Sequence, residues 1–201
     1  MSGNAGILQA LKDTFGFDAF RGRQEEVVSR VLAGESTLAV MPTGAGKSLT
    51  YQLPAVMLEG TCVVISPLIA LMHDQLRSAR ANGIRAATLT SADADWRETQ
   101  DAFRAGELDL LYVAPERLMQ RRMLGRLKQV KIALLAIDEA HCAAAQGHDF
   151  RPDYLAIGGL RRALGVRGAR RQGARRRHPG NPGRRPGANR QHRSGRGRAP
   201  G

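Results

Sequence analysis

The sequence contains few of the residues that build cross-linked or membrane-spanning proteins. Its two cysteines, Cys62 and Cys142, are far apart and match no metal-ligand spacing. This argues against a disulfide scaffold or a zinc site and favours a reducing compartment, which predicts a cytoplasmic protein. No apolar run is as long as the roughly 18 residues that a spanning helix needs. The first residues also lack the basic and apolar segments of a secretory signal.

Acidic residues are missing from one part of the chain. The 41 residues from Arg161 onward hold 14 of the 31 basic residues, all of them arginines, and no acidic residue. The first 160 residues therefore hold 17 basic and 18 acidic side chains, a net charge of −1. We expect a nearly neutral folded domain over residues 1–164. Residues 165–201, which are rich in arginine, glycine and proline, predict a disordered basic tail.

The domain alternates between helix-like and strand-like patterns of apolar residues. Helices are predicted over residues 5–15, 24–33, 47–57, 67–81, 95–104, 116–127 and 153–164. Strands are predicted over residues 37–41, 62–65, 85–89, 109–113 and 132–137. Several strand-like runs are apolar on both faces, as expected when helices cover both sides of a sheet. The pattern predicts an α/β fold with a doubly wound parallel sheet, whose ligands bind at the carboxyl ends of the strands.

Residues 41–48, MPTGAGKS, follow the first predicted strand and are called the phosphate loop below. Glycine allows the backbone to curl so that successive N–H groups face inward around an anion. A lysine then reaches the outer phosphates and a serine hydroxyl binds Mg²⁺. Methionine stands where the strict pattern has its first glycine, and the alternative is a simple glycine-rich turn. The candidate nucleotide-binding residues here are Thr43, Gly44, Ala45, Gly46, Lys47 and Ser48.

Two carboxylates follow the last predicted strand, at Asp138 and Glu139. We expect Asp138 to hold Mg²⁺ together with Ser48, and Glu139 to deprotonate the attacking water, with Lys47 completing the catalytic set. The alternative is a pair of acids in the first turn of the next helix. His141 is either a residue that couples nucleotide to nucleic acid or an ordinary helix residue.

Five segments together resemble the RecQ family of DNA helicases. The resemblance implies a RecA-like first motor domain that uses ATP and Mg²⁺. It also implies a role in DNA repair and recombination, with three-prime to five-prime unwinding of forked or single-stranded DNA at the nucleoid. The segments are residues 17–24 (FDAFRGRQ), the phosphate loop, residues 65–75 (ISPLIALMHDQ), residues 110–118 (LLYVAPERL), and DEAHC at 138–142 followed by GHDFRPDY at 147–154.

The resemblance assigns Phe17, Arg21 and Gln24 to the segment that binds adenine. An aromatic ring stacks on a base, and a glutamine amide both donates to and accepts from the edge of adenine. The alternative is a helix start in which Phe17 and Phe20 are core residues.

The resemblance also assigns several residues to DNA. Ser66 and Pro67 match a segment that contacts the DNA backbone, where a helix start offers N–H groups to phosphate, and the alternative is a plain serine N-cap. Residues 114–117 have the same status. In the loop that senses single-stranded DNA, an aromatic suits base stacking and an arginine suits phosphate. The residues that match this loop are His148, Phe150 and Arg151.

The sequence departs from the family pattern in two places. The sensing loop has Ala-Ala-Ala-Gln at 143–146 instead of a stretch that ends in tryptophan, so weak coupling between DNA and hydrolysis is expected. After residue 164 the expected strand, its Ser/Thr-Ala-Thr turn and the second motor domain are replaced by the basic tail. The tail is either a nucleic-acid-binding arm or the product of out-of-frame translation of GC-rich coding sequence. The second interpretation is favoured because arginine, glycine, proline and alanine all have codons built only of G and C.

We therefore expect a single motor domain that binds ATP and DNA but does not unwind DNA alone. The alternatives are a nucleic-acid-binding protein that acts through its tail and a non-functional gene fragment.

Overall fold

The computed structural model describes residues 2–42, 44–90, 96–118, 120–140, 159–160 and 164. These residues belong to a compact unit that spans residues 1–170. The helices are α1 (Ser2–Phe15), α2 (Gln24–Leu32), α3 (Leu49–Met57), α4 (Ile69–Ala81), α5 (Trp96–Arg104), α6 (Pro115–Leu118) and α7 (Arg121–Leu127). The strands are β1 (Thr61–Ile65), β2 (Ala86–Leu89), β3 (Leu110–Val113) and β4 (Ile132–Ile137).

The four strands form one parallel sheet in the order β2-β3-β1-β4. At its centre Val63 of β1 lies opposite Leu111 of β3 and Leu135 of β4. Helices follow the strands along the chain, as parallel crossovers require. The predicted α/β fold with a parallel sheet is confirmed.

Alternate residues of each strand enter two separate cores, one on each face of the sheet. Val63 and Ile65 pack on one face with residues of α5, α6 and α7 such as Phe103. Cys62 and Val64 pack on the other face with residues of α3 and α4. Every residue of β1, β2 and β3 is buried. Burial on both faces explains why these strands are apolar without alternation.

A third core joins the first three helices and places the start of α2 beside the phosphate loop. It contains Leu11 of α1, Val28 of α2 and Leu53 of α3, all of them fully buried. Pro54 lies inside α3 and is buried, so the predicted irregularity is accommodated within the helix. The packing of α2 on α3 fixes the chain on both sides of the phosphate loop.

The strand predicted over residues 37–41 is wrong. These residues are not part of the sheet, and Leu38 and Val40 are 81% and 89% exposed. In the described part of the chain β4 pairs with β1 alone, and no strand pairs with residues 37–41. A strand needs a neighbour for its backbone hydrogen bonds, and an apolar sequence does not supply one.

Several predicted helix bounds also shift. Lys47 and Ser48 lie in a turn before α3, and α4 begins at Ile69 rather than at residue 67. The helix predicted over residues 153–164 falls almost entirely outside the described residues. Among the described helices none is long and apolar enough to cross a membrane.

Candidate nucleotide-binding site

The two glycines of the phosphate loop have the left-handed backbone that allows the predicted curl. Gly44 and Gly46 have φ of 80° and 71°, in the left-handed region where a side chain is strained. The N–H of Ala45 donates to the carbonyl of Pro42 at 3.2 Å and closes the turn. Thr43 lies outside the described residues. The two left-handed glycines let the loop curl back on itself before α3 begins.

Lys47 and Ser48 present side chains that the start of α3 does not use. The carbonyl of Lys47 accepts from the backbone N–H and the hydroxyl of Thr50, at 3.0 and 2.6 Å. Ser48 occupies the N-cap position, yet its hydroxyl makes no capping hydrogen bond. Both residues are partly exposed, and within the described residues no carboxylate forms an ion pair with Lys47. Their polar groups therefore suit an external ligand.

Asp138 and Glu139 lie at the carboxyl end of β4. The N–H of Asp138 donates to the carbonyl of Ile65 at 2.8 Å, which extends the β1–β4 pairing by one residue. Glu139 has φ of 50°, the only described non-glycine residue with a positive φ. Its N–H donates to Oδ1 of Asp138 at 3.0 Å. A non-glycine residue in this conformation is strained, and such strain concentrates at functional sites.

Helix α3 connects the phosphate loop to these carboxylates. It begins directly after the loop and packs against β4. Burial raises the pKa of Tyr51, on α3, well above its usual range, and the neighbouring Tyr112 and the charge of Asp138 raise it further. Helix α3 therefore lies beside the strand that ends at the two carboxylates.

The segment before α2 has an exposed aromatic ring. Phe17 is 46% exposed and stacks on Phe15, with ring centroids 6.5 Å apart and an interplanar angle of 8°. The Cζ of Arg21 lies 5.8 Å from the Phe17 centroid, at cation–π distance. Phe20 packs against the third core. The alternative that both phenylalanines are core residues is therefore right for Phe20 and wrong for Phe17.

Gln24 contacts the phosphate loop, which the sequence did not predict. The residue is 4% exposed, and its Nε2 donates to the carbonyls of Ala45 and Gly46 at 2.9 and 3.2 Å. Its Oε1 accepts from the N–H of Arg21 at 2.9 Å. No sequence pattern predicts that Gln24, which lies 21 positions before Ala45, contacts the backbone of the loop.

These residues fit Mg²⁺ and a nucleotide phosphate by their chemistry. The loop offers backbone N–H groups and the Lys47 ammonium, which suit an anion. The Ser48 hydroxyl and the Asp138 carboxylate are oxygen ligands of the kind that Mg²⁺ prefers.

Comparison with known proteins decides the family. A model of the DEAD/DEAH box helicases matches residues 21–172. This chain belongs to the DEAD/DEAH box helicase family. The chain is 46% identical over 156 residues to the ATP-dependent DNA helicase RecQ of Haemophilus influenzae. The aligned residues make up 77% of this chain and 25% of that protein. It is 42% identical over 160 residues to the probable ATP-dependent DNA helicase RecS of Bacillus subtilis, which covers 79% of this chain and 32% of that protein.

The predicted resemblance to RecQ helicases is confirmed, and this DEAD/DEAH box chain spans about a quarter to a third of the length of these relatives. A solved structure of the Mycobacterium smegmatis helicase Lhr bound to ssDNA and AMP-PNP has a similar fold. Its TM-score is 0.57 at 23% identity, over 84% of this chain and 24% of that one. This likeness supports the RecA-like fold of the domain.

The predicted DNA-contacting residues Ser66 and Pro67 are buried, and the next residue is exposed. Ser66 is 2% exposed, and its hydroxyl has no partner among the described residues. Pro67 is also buried, whereas Leu68 holds the N-cap position of α4 and is 50% exposed. The alternative that Ser66 is the N-cap of α4 is therefore wrong. Direct contact between Ser66 and DNA stays a prediction.

Arg117 has a structural contact that the sequence did not indicate. Its Nε and Nη2 donate to the carbonyl of Thr90 at 3.2 and 3.1 Å, which ties α6 to the end of β2. The residues predicted to couple DNA to the nucleotide site lie outside the described residues, so their roles stay predictions. They are His141, His148, Phe150 and Arg151.

Proposed function

We propose that this domain binds Mg·ATP at the phosphate loop and hydrolyses it with Asp138 and Glu139. The observation that carries the proposal is the loop with two left-handed glycines, joined through α3 to the strand end that bears both carboxylates. Neither part is a site by itself. Together they provide an anion cradle, two oxygen ligands for a cation and a base for water.

Each residue then has one task in the proposed reaction. Lys47 and the N–H groups of the loop bind the phosphates, aided by the positive end of α3. Ser48 and Asp138 would hold Mg²⁺, which would neutralise negative charge on the phosphates when bound. Glu139 accepts the proton of the attacking water. Its backbone N–H donates to Asp138, which fixes the two residues relative to each other after β4. Phe17 and Arg21 provide an exposed surface for the base.

We further propose that the substrate of the whole motor is DNA, unwound in the three-prime to five-prime direction at the nucleoid. Its support is the similarity to proteins named as ATP-dependent DNA helicases. Unwinding uses two motor lobes that close and reopen around ATP. The 201-residue chain assayed alone is therefore proposed to bind ATP and DNA with slow hydrolysis and without strand separation.

A second candidate function is DNA binding by the basic tail. Its support is the charge distribution, since residues 165–201 contain twelve arginines and no acidic residue. Such a segment binds nucleic acid through phosphate charge, with strong salt dependence and no sequence preference.

Isothermal titration calorimetry tests the nucleotide proposal. The wild-type chain should bind Mg·ATP, and Lys47→Ala should abolish binding because the outer phosphates lose their cation. Lys128→Ala removes an exposed lysine at the end of α7 and serves as the matched control, with unchanged affinity. Equal affinity in the wild type and Lys47→Ala would remove the phosphate-loop assignment.

Hydrolysis and DNA binding need separate assays. Glu139→Gln should keep Mg·ATP binding and lose phosphate release, since the amide cannot accept the proton.

A strand-displacement assay on a duplex with a three-prime overhang should show no strand separation by the wild-type chain. ATP-dependent separation that Glu139→Gln abolishes would refute the single-lobe proposal. Deleting the basic tail, residues 165–201, should flatten the salt dependence of DNA binding, and an unchanged slope would place the phosphate contacts in residues 1–164.

A further inference from the structure

Gln24 is anchored at both ends of its amide. Oε1 accepts from the backbone N–H of Arg21, which precedes α2, and Nε2 donates to two consecutive carbonyls of the phosphate loop. A backbone N–H only donates and a carbonyl only accepts, so these partners fix which way round the amide lies. The residue is 4% exposed, and it lies between a helix that packs in the third core and a loop that is otherwise open to solvent.

The two carbonyls that Gln24 binds decide where the next N–H groups point. In a trans peptide the C=O and the following N–H point in opposite directions. A donor that holds the carbonyl of Ala45 therefore turns the N–H of Gly46 to the opposite side of the chain. The bond to the carbonyl of Gly46 does the same for the N–H of Lys47. These two N–H groups belong to the cradle that the phosphates are proposed to enter.

Glycine at position 46 makes this approach possible. A Cβ added there would lie 2.6 Å from Nε2 of Gln24, closer than real contacts allow. At Gly44, which has a similar backbone conformation, a Cβ would meet nothing within 4 Å. The close approach at Gly46 is thus a specific feature of the Gln24 contact, separate from the curl of the loop.

We infer that Gln24 is a positioning residue for phosphate, which orients the Gly46 and Lys47 N–H groups before any nucleotide binds. This role differs from reading adenine. The amide nitrogen donates to the loop and the amide oxygen accepts from Arg21, so in this conformation both ends of the Gln24 amide are engaged within the protein. The inference rests on the proposed nucleotide site, and it predicts that Gln24 contributes to the binding of a phosphate chain that carries no base.

Inorganic tripolyphosphate with Mg²⁺ is the probe that separates the two roles. Its affinity is measured by displacement of a fluorescent ATP analogue from the full 201-residue chain, with ATP measured in parallel. Lys47→Ala gives the background, because the arginine-rich tail attracts polyphosphate by charge alone. Gln24→Met keeps the side-chain length without donor or acceptor, and Gln24→Asn keeps a buried amide that is too short to span both partners. Gln129→Ala, at an exposed glutamine, is the matched control.

Two lost hydrogen bonds between neutral groups predict a loss of about tenfold for tripolyphosphate in Gln24→Met, with a similar loss for ATP. Gln24→Asn should show the same pattern, and Gln129→Ala none. A loss for ATP with unchanged tripolyphosphate affinity would identify Gln24 as a base reader and overturn the inference. Unchanged affinity for both ligands would overturn it as well.

The wild-type result separates this inference from the proposed function. Binding of ATP without any binding of tripolyphosphate would overturn the preformed phosphate cradle and leave the nucleotide site in place. Failure to bind either ligand would overturn both. Thermal unfolding of each variant accompanies the titrations, so that a loss of affinity counts only in folded protein.

Discussion

The two sides of the sheet differ although their sequences are alike. Strands β1, β2 and β3 are apolar and buried throughout, with β1 paired on both edges. On the other side, β4 is equally apolar but only half-buried, and residues 37–41 remain outside the sheet with Leu38 and Val40 exposed. The first group is called the buried strands below, and β4 with residues 37–41 is called the open side.

The difference shows that an apolar run specifies a strand only together with its neighbours. A central strand is stabilised because adjacent strands satisfy its backbone and helices cover its faces. Among the described residues, the 37–41 segment has no adjacent strand, and its Leu38 and Val40 side chains are left exposed. The phosphate loop directly follows residues 37–41 and the two carboxylates follow β4, so the proposed nucleotide site lies on the open side.

The largest contrast is expected in hydrogen exchange of the ligand-free chain. Amides of β1 should exchange only through global unfolding, whose free energy in ordinary domains is about 5–15 kcal/mol. Residues 38–40 lie outside the sheet and should exchange close to the rate of an unstructured peptide. The measurement is deuterium uptake resolved to short peptides. Comparable protection in both segments would show that residues 37–41 join the sheet in solution.

A matched pair of leucines tests the same contrast by stability. Leu111→Ala empties a fully buried position in β3 and should lower the free energy of unfolding by about 2–5 kcal/mol. Leu38→Ala changes a side chain that is 81% exposed and should alter it by less than about 0.5 kcal/mol. Urea denaturation of both variants provides the numbers. A similar loss in the two variants would contradict the difference in burial.

The buried strands should also limit stability at high pH. Burial raises the pKa of Tyr112 from 10.0 to about 12. The unfolded chain loses this phenolic proton first, so stability that is present below about pH 10 is lost as the pH rises toward 12. One pKa unit corresponds to about 1.4 kcal/mol, which gives a loss of up to roughly 3 kcal/mol. Denaturation at pH values between about 9 and 11.5 should show a shallower decline in Tyr112→Phe, and identical slopes would refute this origin.

The smallest effect is expected on the open side, at Glu139. Its φ of 50° strains any side chain, so Glu139→Gly should raise the free energy of unfolding by about 1 kcal/mol while it removes the proposed base. Glu139→Gln removes the base and keeps the strain, so it is the control that separates the lost carboxylate from the relieved backbone. Thermal unfolding compares the three proteins. Destabilisation by Glu139→Gly would show that the glutamate side chain makes contacts worth more than the strain.

Most of the buried strands could be predicted because their residues report burial directly. The run IALLAI gives the bounds of β4 without error, and β1, β2 and β3 are right to within one residue at either end. Residues 37–41 have the same kind of sequence, and the prediction there is wrong. The reason is that a segment's own residues do not encode which strand, if any, lies beside it.

The candidate site divides in a similar way. The left-handed glycines and the Asp138–Glu139 pair could be predicted because backbone freedom and charge are properties of single residues. The contacts of Gln24 with the loop and of Arg117 with Thr90 could not, since they depend on how distant elements pack. The strain at Glu139 was also missed, because glutamate gives no sequence signal for a positive φ.

The most direct test of the account is hydrogen exchange of the open side with saturating Mg·ATP. The central claim is that nucleotide binds to the backbone of residues 44–48 beside the end of β4. Exchange in peptides that contain residues 44–48 should therefore slow when Mg·ATP is added to the wild-type chain, and it should not change in Lys47→Ala. Peptides of β3 should be unaffected in both proteins. Unchanged exchange of residues 44–48 in the wild type, or equal protection in Lys47→Ala, would contradict the claim.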